Sequence, residues 1–419
     1  MYSEQQIDEL IQPLIDTQIE INNSVIQVIA QRIREIGELL PSDVFRLEML
    51  AKTGADVRKI NQLLAKAVDK QVPQIKKIIK TVAKDSYIGA KPFYDYRKKP
   101  FVPFEQNEQI QRVVKAIEKQ TAGTYTNMSK AQAFMVRDPK NPTVLKPTTA
   151  ARTYQNTVDK AIQTVQTSGL DYSSVMRSTL EELVDSGLKE VIYNAESGKI
   201  HTQRMDTALR RNLLDGVRAV NQGVQDEVGK QFGADGYELS VHACPAPDHC
   251  KIQGHQFTKN EYAKMAPESF VQNEAGLEVN LSGLITDVNG KTYKPIDRKI
   301  GTLNCRHFAF AIIVGQAPAN YTEEQLQEIL DKNEKGYTTP EGKHLTMYEC
   351  TQLQRKMETK IRKAKDGQIA AKEAGDVELA KKYQKKVSKY LMEYKVFSDS
   401  CGLRLKTDRI RVDGYKQIK

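Results

Sequence analysis

The stretch Tyr237-Glu-Leu-Ser-Val241-His242-Ala-Cys244-Pro-Ala-Pro-Asp-His249-Cys250 decides how this chain is organised, together with Gln253-Gly254-His255 and the later Gly301-Thr-Leu-Asn304-Cys305-Arg306-His307. Tyr237, Leu239 and Val241 alternate with polar neighbours, the period of a half-buried strand, and run straight into His242. The chain has five cysteines and six histidines, and seven of these eleven lie in the quoted stretches. Such crowding marks a compact module rather than ordinary packing. Further strand signals surround it: Leu277–Leu281, Leu284–Tyr293 with an Asn289-Gly290 turn, and the apolar run Phe308–Val314 bounded by Gly315. A small α+β module is therefore expected over residues 233–318.

Outward from this module the period changes to that of helices. Ser3 and Gln6 form a capping-box pattern, followed by Ile7, Leu10, Ile11, Leu14 and Ile15 at helical spacing. The stripe continues to Leu40, where Pro41-Ser42-Asp43 breaks and recaps it. A second helix is expected near Val44 to Thr53, ended by Gly54. A third starts near Asp56, and a fourth follows Pro73. Gly89 to Pro103 mixes aromatics, prolines and lysines and reads as an extended arm lying across its own chain or a neighbour. Val136 to Thr148, with Pro139, Pro142 and Pro147, reads as a second irregular stretch. Helices return with Leu180, Leu183, Val184 and Leu188, then Leu209, Leu213, Val217 and Val220, the two separated by Asn194-Ala-Glu-Ser-Gly198. His201 between them reads as a surface or capping residue.

Beyond the module, Thr322 and Gln325 signal another helix start. Two long stripes follow, split by Gly375-Asp376 with Asp376 as N-cap, which gives an antiparallel helical hairpin. The fold class is thus mainly α with a small α+β module. The expected segments are a helical N-terminal region (1–88), an extended Pro/aromatic-basic linker with a short helix (89–149) and a helical region (150–232). The His/Cys module (233–318) and a basic hairpin with its tail (319–419) complete the chain.

Length and composition bound the function. A chain of 419 residues exceeds one ordinary core. No apolar run approaches the length of a membrane span, and the polar start does not resemble a signal peptide. Cys350 and Cys401 lie apart from the cluster, and the odd total fits a reducing compartment with free or metal-binding thiols. The net charge is +10. From Thr351 to Lys419 there are 19 Lys and Arg against 9 Asp and Glu, so the hairpin region alone carries that excess. A local basic excess points to an anionic partner such as DNA, or to a solvated face. The candidate contacts are Arg355, Lys356, Arg362, Lys363, Lys381, Lys382, Lys385 and Lys386.

Three chemistries fit the cluster and stay open at this point. Zinc takes thiolate and imidazole ligands, and Cys244, Cys250, Cys305 and His307 form one candidate set, with His242, His249 and His255 as substitutes. Cys305 or Cys250 beside a histidine is also the outline of an activated nucleophile, in a cysteine or metal-dependent hydrolase. Alternatively the histidines, Asn304 and Arg306 form a structural hydrogen-bond network.

The order strand, His242, Pro247-x-His249, Gln253-Gly254-His255-Gln-Phe257 and Gly301-x-x-Asn304-Cys305-Arg306-His307 resembles the phage minor capsid protein 2 family, related to the Mu F-type minor head proteins of tailed bacteriophages. The likeness continues in Gln354-Arg355-Lys-Met-Glu358-x-Lys-Ile361-Arg362-Lys-x-Lys365, in Asp206-x-x-Leu-Arg210-Arg211-Asn212 and in Ser197-Gly198. It covers residues 190 to 415 best. Ala246 and Ile252 stand where the family often has an arginine and an aromatic, and Cys244 and Cys250 are additions to its pattern.

The resemblance implies a virion component rather than an enzyme, present in the host cytoplasm during assembly and in the head or at the portal vertex afterwards. Its implied partners are the portal protein, the major capsid protein and packaged double-stranded DNA. The implied roles are head assembly, packaging or DNA ejection; the competing reading is an internal protein ejected with the genome.

Overall fold

The computed structural model describes residues 4–37, 43–138, 140–166, 172–193, 200–266, 269–272, 278–301 and 305–418. Ser3, Pro41-Ser42, Pro139, Asn194–Gly198, Leu277 and Asn304 lie outside the described residues.

Two long helices open the chain, α1 (Glu4–Gly37) and α2 (Asp43–Gly89). The expected breaks at Gly54 and Pro73 do not occur, and both residues sit inside α2. A glycine costs a helix about 1 kcal/mol and a proline about 3. Against this, Ile60, Ile75, Ile79, Val82, Ala83 and Tyr87 are all buried along one side, and burying one such side chain contributes about 1.5–3 kcal/mol. Pro73 itself is exposed. Tertiary burial outweighs the local breakers.

The aromatic-basic stretch also differs from the sequence expectation. Lys91–Tyr96 forms a short helix, α3, with a proline in its first turn, and Phe104–Gln106 forms a 3-10 turn. Tyr94, Phe101 and Phe104 are anchored inward. Tyr87 stacks on Phe101 with centroids 4.8 Å apart, and Tyr94 meets Phe101 and Phe232 edge-on at 5.1 and 4.7 Å. The arm thus packs on its own chain through Tyr94, Phe101 and Phe104, while Phe93 and Tyr96 stay exposed. Next come α4 (Glu108–Lys130), capped by Asn107, and a β-hairpin of β1 (Gln132–Asp138) and β2 (Asn141–Thr148), in place of the irregular second stretch.

α5 (Ala150–Gln166) and α6 (Tyr172–Ser186) lead to β3 (Lys189–Tyr193) and β4 (Ile200–Arg204). These strands join the hairpin in an antiparallel sheet of order β2-β1-β3-β4. α7 (Met205–Phe232) then runs through the middle of the molecule and ends on Gly233 in the left-handed conformation. One continuous core joins α1, α2, α4, α5, α6 and α7 with apolar residues of the C-terminal hairpin.

The module begins with β5 (Gly236–Leu239), α8 (Pro247–Cys250), β6 (Gln256–Thr258) and α9 (Lys259–Ala263). Short pairs β7 (Phe270–Gln272) with β8 (Glu278–Asn280) and β9 (Ile285–Thr286) with β10 (Thr292–Tyr293) follow, then β11 (Ala309–Ile312). The β9–β10 turn carries Gly290 at φ 85°, as the Asn-Gly signal predicts. β11, β5 and β6 form a three-stranded antiparallel sheet over a separate core of Leu239, Ile252, Phe257, Met265, Ile285 and Ile296.

α10 (Glu323–Lys335) starts with the expected Thr322–Gln325 capping box. A small pair, β12 (Tyr337–Thr338) and β13 (His344–Leu345), precedes the hairpin of α11 (Met347–Glu373) and α12 (Val377–Ser400), with Asp376 capping α12. Cys350 and Cys401, distant in sequence, share one small apolar cluster.

Candidate metal centre

Local geometry brings the two halves of the cluster together. Beyond β5, Ser240 N–H donates to Phe308 O at 2.8 Å and Phe308 N–H returns a bond to Ser240 Oγ at 2.9 Å. This reciprocal tie sets His242 beside His307, with ring centroids 4.2 Å apart. Cys244 then reverses the chain at φ 55°, an unusual conformation for a residue with a side chain. Pro247 starts α8, which presents His249 inward. Asp248 Oδ2 accepts from the backbone N–H groups of Asp297 and Arg298, both at 3.0 Å. That brace puts Arg298 O 2.7 Å from His249 Nε2.

The donors converge on Cys305. Its Sγ lies 3.6 Å from His249 Nδ1 and 3.4 Å from His307 Nδ1. His307 Nε2 lies 3.3 Å from Gln253 Oε1, which also accepts the His242 backbone N–H at 3.2 Å. One donor atom from each of His249, Cys305 and His307 lies within 4.8 Å of the others.

The structure therefore rearranges the ligand set read from sequence. Cys305 and His307 come together with His249, while Cys244 and Cys250 belong to no such group among the described residues. The reason is direction. Adjacent residues of a helix point about 100° apart, so when His249 faces Cys305, Cys250 faces elsewhere, towards Asn333 of α10. His255 belongs to a second group, with Nδ1 3.4 Å from both Asp287 Oδ2 and Glu323 Oε1. Gly254 fits only without a side chain: its φ is 76°, and a Cβ would lie 2.3 Å from Leu326 Cδ2.

Electrostatics follow from burial and contact. Burial opposes the Cys305 thiolate, but His249 and Arg218 outweigh it and hold the thiol below its ordinary value. His249 is raised against its own burial by the same contact. Burial, with His242 and His249 nearby, holds His307 well below the usual histidine range, and burial pushes His242 down to about 4. Cys250 is pushed up to about 11, mainly by burial.

A cleft of about 1400 Å³ opens beside the cluster, lined by His242, Cys244, His249 and Cys305 and by basic groups including Arg306, Arg355 and Lys406. Arg306 is depressed to about 9, first by burial and then by Arg355 and Arg409.

Several residues read as DNA contacts serve the interior instead. Arg362 is buried, donates to Arg409 O at 2.7 Å and pairs with Asp206 at 3.2 Å. Arg355 faces the cleft and Lys363 is half-buried. Lys356, Lys381, Lys382 and Lys385 are exposed, with Lys382 paired to Glu181 at 2.8 Å, and Lys386 lies over the Tyr383 ring.

A second open basic surface was missed. Residues 52–99 hold thirteen Lys and Arg against four Asp and Glu, and Lys59, Lys66, Lys70, Lys77 and Lys80 are exposed on α2. A charge count in short windows finds this segment, whereas a count over the whole chain before the hairpin hides it behind acidic neighbours.

This fold is a long-helix body carrying a small His/Cys module, with a buried ionic seam beneath the hairpin. The sequence pattern of the family described as phage minor capsid protein 2 matches residues 3–397, so the chain belongs to that family. It is a structural protein of the phage head, and its place is the virion. No curated protein and no solved structure matches the chain significantly. Among the described residues no helix is long and apolar enough to cross a membrane.

Proposed function

We propose that this protein lines the inside of the head at the portal vertex, binds portal and major capsid proteins, and carries packaged DNA on the lysine face of α2. It acts in assembly, packaging or genome delivery without catalysing a reaction. The observation that carries the DNA contact is the placement of charge. Lys59, Lys66, Lys70, Lys77 and Lys80 recur at three-, four- and seven-residue steps, which puts them along one side of the helix. All five are exposed, and none forms an ion pair among the described residues. A row of ammonium groups along one helix suits a phosphate backbone and carries no base specificity.

Two experiments test this reading. Lysine cross-linking of intact heads, followed by mass spectrometry, should join the chain to portal and major capsid proteins; cross-links only among its own copies would contradict the placement. For DNA, the triple variant Lys66→Glu/Lys70→Glu/Lys77→Glu should bind duplex DNA of any sequence more weakly. Its salt dependence should fall by about 0.9 in log–log slope for each lost phosphate contact. The corresponding hairpin variant, Lys381→Glu/Lys385→Glu, should have the smaller effect. Equal binding by wild type and the α2 variant would remove α2 as the contact face.

A further inference from the structure

We propose that His249 Nδ1, Cys305 Sγ and His307 Nδ1 hold one zinc ion, with the fourth coordination position opening to the cleft. Hydrogen bonding fixes the protonation of both rings. Arg298 O can only accept, so His249 Nε2 carries a hydrogen and donates to it at 2.7 Å. Gln253 Oε1 is identified as the oxygen because it accepts the His242 backbone N–H. His307 Nε2 therefore also carries a hydrogen and donates to Gln253 Oε1.

Each ring then aims its Nδ1 lone pair at the same sulfur, at 3.6 and 3.4 Å. A thiol has one hydrogen and can satisfy one lone pair, not two. A thiolate facing a doubly protonated His249 leaves the His307 lone pair against a negative sulfur. A doubly protonated His249 donating to a thiol that in turn donates to His307 meets both contacts but buries a charged ring, and every other arrangement leaves one electron-rich contact. A cation between the three atoms removes it.

The distances agree with that cation. Zinc–sulfur and zinc–nitrogen bonds of about 2.3 and 2.05 Å at a tetrahedral angle separate the two ligand atoms by about 3.5 Å. The carbonyls on the far nitrogens are the outer contacts that orient metal-bound imidazoles. One thiolate with two neutral imidazoles suits zinc among the divalent ions. His249 and Cys305 line the cleft, so a water or a small anion reaches the remaining position.

The test uses the purified full-length chain, produced with zinc in the medium and analysed by elemental mass spectrometry. About one zinc per chain is expected, retained in Cys244→Ser and Cys250→Ser. Cys305→Ser should lose it, and Gln253→Ala should bind it about 10–100-fold more weakly. Cobalt(II) exchanged into the wild-type protein should give a thiolate-to-metal charge-transfer band, a readout that needs no variant to fold. A folded, metal-free wild-type chain that gives no such band overturns the proposal. So does zinc that survives Cys305→Ser, or rapid alkylation of Cys305 by iodoacetamide in the zinc-supplied protein, which marks a free nucleophile. Copper in place of zinc overturns the choice of metal.

Discussion

Gln253 and Gly254 show how little freedom single residues around the cluster have. Gln253 Oε1 ties the His242 backbone to the His307 ring, and Gly254 turns the chain where Leu326 of α10 approaches. Gly254→Ala puts a side chain into left-handed backbone and into contact with that leucine. The expected loss is about 2–4 kcal/mol in denaturant unfolding, and an unchanged midpoint would contradict the packing. The same scale explains what the sequence reading could and could not see. Seven ligand-type residues in short stretches are visible as composition, and the Cys305-x-His307 spacing is local enough to read, its two side chains lying 3.4 Å apart. The choice among Cys244, Cys250 and His249 depends on side-chain direction through a one-turn helix and a reversal at Cys244, and spacing does not encode direction.

Among the elements, α11 shows what the residues after Asn304-Cys305-Arg306-His307 accomplish. Gln354, Glu358, Ile361, Arg362 and Lys365 fall on its buried side. Arg362 and Arg204 meet Asp206 at 3.2 and 3.1 Å, and Arg204 also meets Asp366 at 3.2 Å, which joins α11 to β4 and α7. Nearby, Asp8 of α1 pairs with Arg210 at 3.0 Å and with Arg409 at 2.6 Å.

Burial opposes the Asp206 carboxylate, but Arg204 and Arg362 hold it at about 2, below the ordinary value of 3.8. Its contribution is therefore complete above pH 4 and is lost as pH falls through about 2, a difference of roughly 2 kcal/mol. Asp366 is shifted upward by burial and works in the opposite sense. Asp206→Asn should cost about 3–5 kcal/mol at neutral pH, because two buried guanidinium groups lose their shared carboxylate. It should also flatten the acid limb of a stability–pH series. A variant with wild-type stability would show that the seam does not hold the hairpin.

Capping signals such as Thr322–Gln325 and Asp376 were legible because they are local. The continuity of α2 was not, since Gly54 and Pro73 are local signals overridden by distant packing. Nor was the inward use of Arg362, because a charge count does not register burial.

For the whole molecule, a single helical core binds the N-terminal helices to the C-terminal hairpin, and the His/Cys module has its own small core beside it. The interior uses arginine in buried pairs, whereas lysine dominates the exposed row on α2. On the proposed function, that exposed row is the face turned towards packaged DNA. The most direct measurement is quantitative mass spectrometry of purified full heads and of heads emptied of DNA. A structural head protein should be present in both, at the same ratio to the portal protein. Its absence from purified heads, or its loss together with the genome, would contradict the account.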